Sequence, residues 1–366
     1  MFTTIKSLLL VLFLLTAFSP RVKAEGEHAV ADTVSTKKFN TGDLIFSHIK
    51  DSYEWHITTI GHTHISIPLP VILYSEHSGL HVFMSGNFHH GTETYQGFKI
   101  ASEGKHERMI VEILPDGAEV KPWDISITKN VTSLFISIVL ILLIFLSVAK
   151  RYRDNFARAP KGLQSWIEPV VLFIRDDIAK PSFGNGKSDK YLPYLLTIFF
   201  FIFINNVMGL IPFFPGGANL TGDISVTLVL AIFTFVITTI SGSRSYWVHL
   251  VNAPGIPWWL KLPIPLMPVV EILGVFIKPF VLTIRLFANI TAGHIIGLGF
   301  YSLIFIFAEK TPIAGYGVSI VSIAFTVFMS ILELLVAFIQ AYVFTLLSAI
   351  YIGMALENHE AHAEKH

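Results

Sequence analysis

The sequence predicts an all-α polytopic membrane protein with two long tilted C-terminal helices, preceded by a small, mostly β, exported N-terminal domain. Three observations lead there. Of 366 residues, 52% are hydrophobic and only 14% charged, against roughly 25% charged in a soluble domain. The few charges are unevenly placed and leave several runs long enough to cross a bilayer. Ten of the 15 histidines fall before residue 131, in a stretch where β-branched residues alternate with polar ones and Pro and Gly punctuate the pattern. The 26 Lys+Arg balance 26 Asp+Glu, so there is no electrostatic footprint for nucleic acid. Zero Cys excludes disulfides, thiolate nucleophiles and thiolate metal sites.

Residues 1–24 read as a signal peptide: Lys6, an apolar run from Ser7 to Phe18, and a Val22-Lys23-Ala24 exit. That run is shorter than the ~20 residues a stable span needs. Residues 25–130 then form the exported, periplasmic domain, with strands expected at 56–60, 64–67 and 71–74. Strand alternation places His62 and His64 on one face; with His89 and His90 they are weak metal candidates, since a metal site also needs convergent ligands. Surface histidine is the simpler explanation.

The membrane domain covers 131–366. Its first span, 131–149, is uncharged and long enough for a ~30 Å hydrocarbon core. Lys150, Arg151 and Arg153 follow at once, and nine Lys/Arg fall between residues 150 and 190, which places this segment in the cytoplasm. Within it, residues 162–178 carry apolar side chains at helical spacing beside Arg175, Asp176 and Asp177, predicting an interfacial amphipathic helix. Gly186-Lys187-Ser188 resembles the end of a phosphate-binding loop, but Pro181 stands where that loop needs glycine and no strand precedes it, so no nucleotide is bound. Further spans are expected at 191–214 and 224–240, joined by an outer loop without Lys or Arg. An inner connection runs over 241–263. Two abnormal stretches close the chain, 267–308 and 318–355, which as helices would measure about 63 and 57 Å. Neither has a turn cluster at its midpoint, so each is predicted to be one steeply tilted helix wrapping a curved partner.

These two stretches carry ionisable residues. Glu271, Lys278 and Arg285 are spaced by seven, drifting only about 20° per step, and Asn289 joins the same helical face. A guanidinium does not deprotonate in proteins, and one near a bilayer centre costs on the order of 2.5–3.5 kcal/mol on insertion scales. Arg285 is too deep in its stretch to snorkel, and Glu271 is fourteen residues away with Lys278 between them. Its counter-ion therefore belongs to another polypeptide. Glu333 and Gln340 share a face of the last helix. His294 lies about 180° around the helix from Arg285 and ~13 Å along it, so an imidazole and a carboxylate on neighbouring helices would make a proton-relaying pair.

The residues Ile284-Arg285-Leu286-Phe287-Ala288-Asn289-Ile290-Thr291-Ala292-Gly293-His294, with Asn205-Asn206-Val207-Met208-Gly209-Leu210-Ile211-Pro212 and Ile339-Gln340-Ala341-Tyr342-Val343-Phe344, resemble the a subunit of the membrane sector of rotary ATP synthases. The match runs from about residue 131 to the C-terminus. The resemblance implies that Arg285 faces the essential carboxylates of a rotating c ring, flanked by Asn289 and Gln340. It also implies that His294 and Glu333 line the outer half-channel near Asn206, and that Glu271 belongs to the cytoplasmic one. Implied with it are a c ring, peripheral-stalk b subunits and the lipid bilayer as partners, no cofactor, no catalytic residue in this chain, and a bacterial inner membrane with a cytoplasmic C-terminus. Ala288 replaces a usual glycine, Gly209 stands where some members carry a carboxylate, and the exported domain is longer than the family's usual N-terminal segment.

Two other classes compete. A secondary ion transporter would show repeated halves or paired broken helices, and none is found. A membrane sensor would explain the exported domain but not Arg285, Glu333 and Gln340.

Overall fold

The computed structural model describes residues 41–42, 45, 49–60, 63–154, 159–184, 187–211, 214–251 and 266–356. The expected signal peptide, His62 and the tail from residue 357 lie outside the described residues, as does most of the inner connection.

The N-terminal part is a β module of short antiparallel strands. β1 (Glu54–Ile60) pairs with β2 (Thr63–Pro68). β3 (Pro70–Ser75) is flanked by β4 (Gly79–Met84) and β8 (Trp123–Asp124), while β5 (Phe98–Ile100), β6 (Ile110–Ile113) and β7 (Glu119–Val120) make a third sheet. The three strands expected from alternation lie within β1, β2 and β3. Alternation also sets the faces: Val71, Leu73 and Ser75 point inward and Tyr74 outward. The core is Val71, Leu73, Phe83, Phe88, Phe98 and Ile110, each contributing about 1.5–3 kcal/mol on burial. After β8 the chain stays beside β3, with Ile125 and Ile127 donating from their backbones to Ile72 and Pro70. It then passes directly into the first helix.

The remainder is helical. The helices are α1 (Lys129–Asp154), α2 (Leu163–Phe173), α3 (Lys180–Phe183), α4 (Ser188–Leu210), α5 (Ile224–Ser241), α6 (Arg244–Val251), α7 (Leu266–Lys310) and α8 (Pro312–Leu356). Among the described residues, five of these are long and apolar enough to cross a membrane: α1, α4, α5, α7 and α8. The α5 start is fixed by Asp223, whose carboxylate accepts from the Ser225 N–H at 2.9 Å.

The segment expected to lie flat in the interface differs in two ways. It extends to residue 183 through a π-helical turn, Ile174–Ala179, and its apolar side packs on the bundle as well. Ile174 and Ile178 are fully buried in the cluster built on α4 and α8, whereas Trp166 is 82% exposed. The extra residue in the π turn lets Ile174 and Ile178 turn in while Arg175 and Asp176 pair outside at 3.0 Å. The expected inner connection likewise contains a helix, α6.

α4 is the most buried span, with Leu195, Ile198, Phe199, Phe200 and Ile202 in the core. α5 presents Thr227, Ala231, Thr234 and Thr238 inward, small residues that allow close helix approach. The Thr234 hydroxyl meets the Tyr194 hydroxyl at 2.9 Å and that of Ser348 at 3.2 Å, joining α5 to α4 and α8.

α7 and α8 are unbroken helices of 45 residues each, about 68 Å long. That is more than twice the hydrocarbon thickness, so they run obliquely or project beyond it. Only Thr311 separates them; the break expected at 309–317 shrinks because Pro312 sits at the helix start, where its missing N–H costs nothing. They form an antiparallel pair, with Phe300 stacked on Phe325 at 5.1 Å and Gln340 Nε2 donating to the Arg285 carbonyl at 3.2 Å. At the other end Gly353 lies so close to the Ser182 carbonyl that an ideal Cβ would fall 2.3 Å from it.

Candidate functional site

The register of the α7–α8 pair decides which side chains meet. Antiparallel pairing that sets residue 285 against 340 also sets the 293–297 turn against Glu333. The first consequence is that His294 Nδ1 and Glu333 Oε1 stand 3.9 Å apart, at 18% and 15% exposure. Glu333 Oε1 is buried and has no hydrogen-bond partner among the described residues.

Beside this pair is a cavity of about 380 Å³ whose polar lining is Asn206, Asn289, His294, Glu333 and Gln340. Its apolar wall includes Leu210, Ile290 and Val336. Five of the seven residues singled out from the sequence therefore converge on one space between α4, α7 and α8. Asn206 is held there by the Thr221 hydroxyl, which donates to its Oδ1, and by its own Nδ2, which donates to the Ala337 carbonyl at 3.4 Å.

Arg285 does not line this cavity. It is exposed on α7 one turn from Asn289, with Leu282 and Leu286 turned into the core behind it. No ion pair among the described residues includes it. Around it stand exposed apolar side chains, among them Phe280 at 61% and Ile284 at 39%. Gln340, only 3% exposed, links this surface to the cavity through its bond to the Arg285 backbone.

The expected Glu271–Lys278–Arg285 stripe is not uniform. Lys278 folds over the Tyr351 ring, its Nζ 5.3 Å from the centroid, and lines a crevice with Thr234, Tyr246 and Pro279. Seven-residue spacing aligns the Cα–Cβ directions, but a long flexible stem chooses its own endpoint. Glu271 is half-buried near the N-terminal end of α7, about 21 Å along the helix from Arg285. Tyr246 of α6 lies close by: burial pushes its hydroxyl pKa up, and the Glu271 charge adds to the shift.

The histidine candidates do not assemble. His89 Nε2 is 3.7 Å from Glu93, whereas His90 Nδ1 is 2.7 Å from Glu54, so adjacent residues serve different carboxylates. Both lie in left-handed backbone, φ 44° and 59°. The His64 side chain is not described, and among the described residues no three metal-binding side chains converge.

Sequence reasoning missed a second polar group at the junction of β module and helices. Lys129 and Asn130 are buried at the start of α1, at 7% and 5% exposure, and Asn219 and Thr221 at 5% and 1% in the α4–α5 connection. The signal in the sequence is the polar run Asn219-Leu220-Thr221-Gly222-Asp223, which by itself predicts no more than an outer loop lacking positive charge.

A helical membrane protein whose longest helices hold a polar cavity beside an exposed cation belongs to the ion-conducting class. Comparison with known proteins gives the family. The family described as "ATP synthase A chain" matches residues 131–353, and a domain of unknown function, DUF8433, matches residues 44–125. "ATP synthase subunit a" of Chloroherpeton thalassium is 44% identical over 253 residues, 68% of this chain and 71% of that protein. "ATP synthase subunit a 2" of Chlorobaculum tepidum is 47% identical over 251 residues, 67% of each. "ATP synthase subunit a" of Myxococcus xanthus is 39% identical over 252 residues, 66% of this chain and 78% of that protein. The chain belongs to the ATP synthase A chain family. Its role is proton translocation in a multi-pass membrane sector, and it is not a catalytic enzyme on its own.

Proposed function

We propose that protons pass through this chain by two offset half-channels separated by Arg285, and that the cavity holding His294 and Glu333 is the outer one. The reading is carried by one observation: Asn206, Asn289, His294, Glu333 and Gln340 line a single cavity that abuts the Arg285 surface. A proton taken up at His294 and Glu333 passes to a carboxylate of the rotating c ring and neutralises it, so that the site can move into lipid. When the site returns past Arg285 from the other side, the fixed cation favours the ionised carboxylate, and the proton leaves by way of Glu271. Arg285 also blocks a direct leak between the two halves. Each proton crossing 100 mV releases about 2.3 kcal/mol, which the ring accumulates as torque for ATP made elsewhere.

In this reading the c ring covers the exposed apolar face around Arg285, and the peripheral-stalk b subunits contact the remaining helices. Residues 1–24 are a signal peptide, 25–130 an exported domain and 131–366 the membrane domain, in a bacterial inner membrane with the C-terminus inside. Support for this orientation comes from the nine Lys/Arg between residues 150 and 190, the positive-inside signature.

The test is Arg285→Ala in the intact complex. Proton-driven ATP synthesis in membrane vesicles should be abolished while the complex still assembles. Retained synthesis would remove the hypothesis.

A further inference from the structure

The β module is joined to the helices by polar contacts that the half-channel reading does not use. The Lys129 N–H donates to the Ser52 carbonyl at 2.9 Å. The Asn130 N–H donates to Asp51 Oδ1 at 2.9 Å, and its side-chain Nδ2 to Asp223 Oδ2 at 3.4 Å. One asparagine at the start of α1 thus sits between a carboxylate of the β module and a carboxylate of the α4–α5 connection. Both carboxylates are half-buried and so within reach of water.

The α4–α5 connection leads from there to the cavity. Asn219 packs against Gly222, and Thr291 on α7 donates to the Gly222 carbonyl at 3.4 Å. Thr221 donates to Asn206 in the cavity wall. At Gly209, the Ala218 carbonyl and His294 Nε2 approach the same point, 3.3 and 3.6 Å from an ideal Cβ there.

Along this line three buried polar atoms have no partner among the described residues: Asn130 Oδ1 and both side-chain polar atoms of Asn219. Asn130 and Asn219 are each 5% exposed. Burying an amide without a partner is unfavourable, so such groups are ordinarily satisfied by ordered water. A loop that merely joined two helices would have no reason to keep this polar line beside an imidazole.

We propose that protons reach His294 through a polar seam between the β module and the α4–α5 connection, with Asp51 and Asp223 forming its mouth and Asn130 and Asn219 holding the water that relays the proton. The β module is then part of the ion path. This inference rests on His294 and Glu333 being the half-channel on the side that bears the β module.

The absence of cysteine from the chain makes the test direct. Asn219→Cys and, separately, Asn130→Cys are introduced into the intact ATP synthase in sealed membranes. Each is treated from the β-module side with a small, membrane-impermeant cationic thiosulfonate. Unmodified wild-type complex and Leu80→Cys, on the exposed face of β4, serve as controls. Modification should remove most of the proton-driven ATP synthesis of at least one asparagine variant, while Leu80→Cys reacts without loss. A thiol at both asparagine positions that fails to react, or reacts without loss, overturns the seam if Arg285→Ala is inactive in the same membranes. Should Arg285→Ala remain active, the underlying half-channel reading falls instead. If Asn219→Cys does not assemble, Asn130→Cys alone decides.

Discussion

Gly293 and Gly297 lie one turn apart on α7, and both face the Glu333 carboxylate. They should respond differently to the same added methyl group. An ideal Cβ on Gly293 would fall 2.9 Å from Glu333 Oε1 and 3.2 Å from its Cγ, whereas one on Gly297 would lie 3.8 Å from that oxygen, an ordinary contact. Ordinary contact begins at 3.4 Å, so Gly293→Ala displaces the carboxylate by about 0.5 Å (3.4 − 2.9) and Gly297→Ala leaves it in place. The oxygen ends a flexible side chain, which keeps the overpacking penalty at the low end of about 1–3 kcal/mol. Replacing a helical glycine by alanine returns about 1 kcal/mol in either variant. Both complexes should therefore assemble. Proton transfer is less tolerant: a misplacement of 1 Å can cost about 10²-fold, so half of that corresponds to roughly tenfold. Gly293→Ala should lower proton-driven ATP synthesis in vesicles by about that factor, with Gly297→Ala close to wild type. Equal, undiminished rates would show that the position of Glu333 relative to His294 does not matter to transport.

Two further outcomes concern stability. Thr221→Val removes the hydroxyl that donates to Asn206 Oδ1 and strands a buried acceptor, at about 1–3 kcal/mol. The detergent-solubilised complex should unfold at a lower temperature, and Thr221→Ser should restore it; an unchanged Val variant would mean that Asn206 finds another donor. In the β module, burial alone would raise the Glu112 carboxyl pKa, but the Ser75 and Ser78 hydroxyls donate to it and hold it below the ordinary 4.5. A carboxyl whose folded pKa is depressed stabilises the fold above its unfolded pKa and loses that contribution as pH falls through the folded one. Hydrogen exchange at β6 amides, corrected for intrinsic rates, should thus show Ser75→Ala loosening the sheet more at pH 7 than in acid, where the carboxylate's share is gone and only the bonds that Ser75 Oγ accepts from the His77 and Ser78 N–H are lost. A penalty independent of pH would assign the effect to packing rather than to the ionised carboxylate.

Periodicity along one helix was legible in the sequence, and register between helices was not. The uncharged runs gave α5 to within a residue and revealed α7 and α8 as single long helices, because a bilayer leaves the backbone few alternatives to helix. α6 escaped notice because Arg244-Ser245-Tyr246-Trp247 has no apolar run; it is ordered by packing beside α7 instead. Spacing placed Glu333 with Gln340 and Arg285 with Asn289. That His294 meets Glu333, and that Gln340 meets the Arg285 backbone, depends on the antiparallel offset fixed by the turn at Thr311. Lys278 shows the limit from the other side: its backbone position obeys the heptad, while its ammonium is drawn away to the Tyr351 ring. The buried asparagines of the seam had no periodic signature, since they lie in a connection and at a helix start.

Arg285 and the polar cavity beside it answer different physical demands. His294, Glu333 and Asn206 lie among protein groups, where a proton can be passed because its donors and acceptors are fixed. Arg285 stands instead on an open apolar face with no ion pair among the described residues. Intramembrane ions ordinarily pair with one another, but a guanidinium neutralised by its own chain could not bias the ionisation of a passing carboxylate. In the proposed reading the exposed cation and the buried relay are complementary: one waits for an anion that moves, the other delivers the proton that lets it move on. Gln340 touches both, lining the cavity and bonding to the Arg285 carbonyl, so the spacing between them is held by a single side chain of α8.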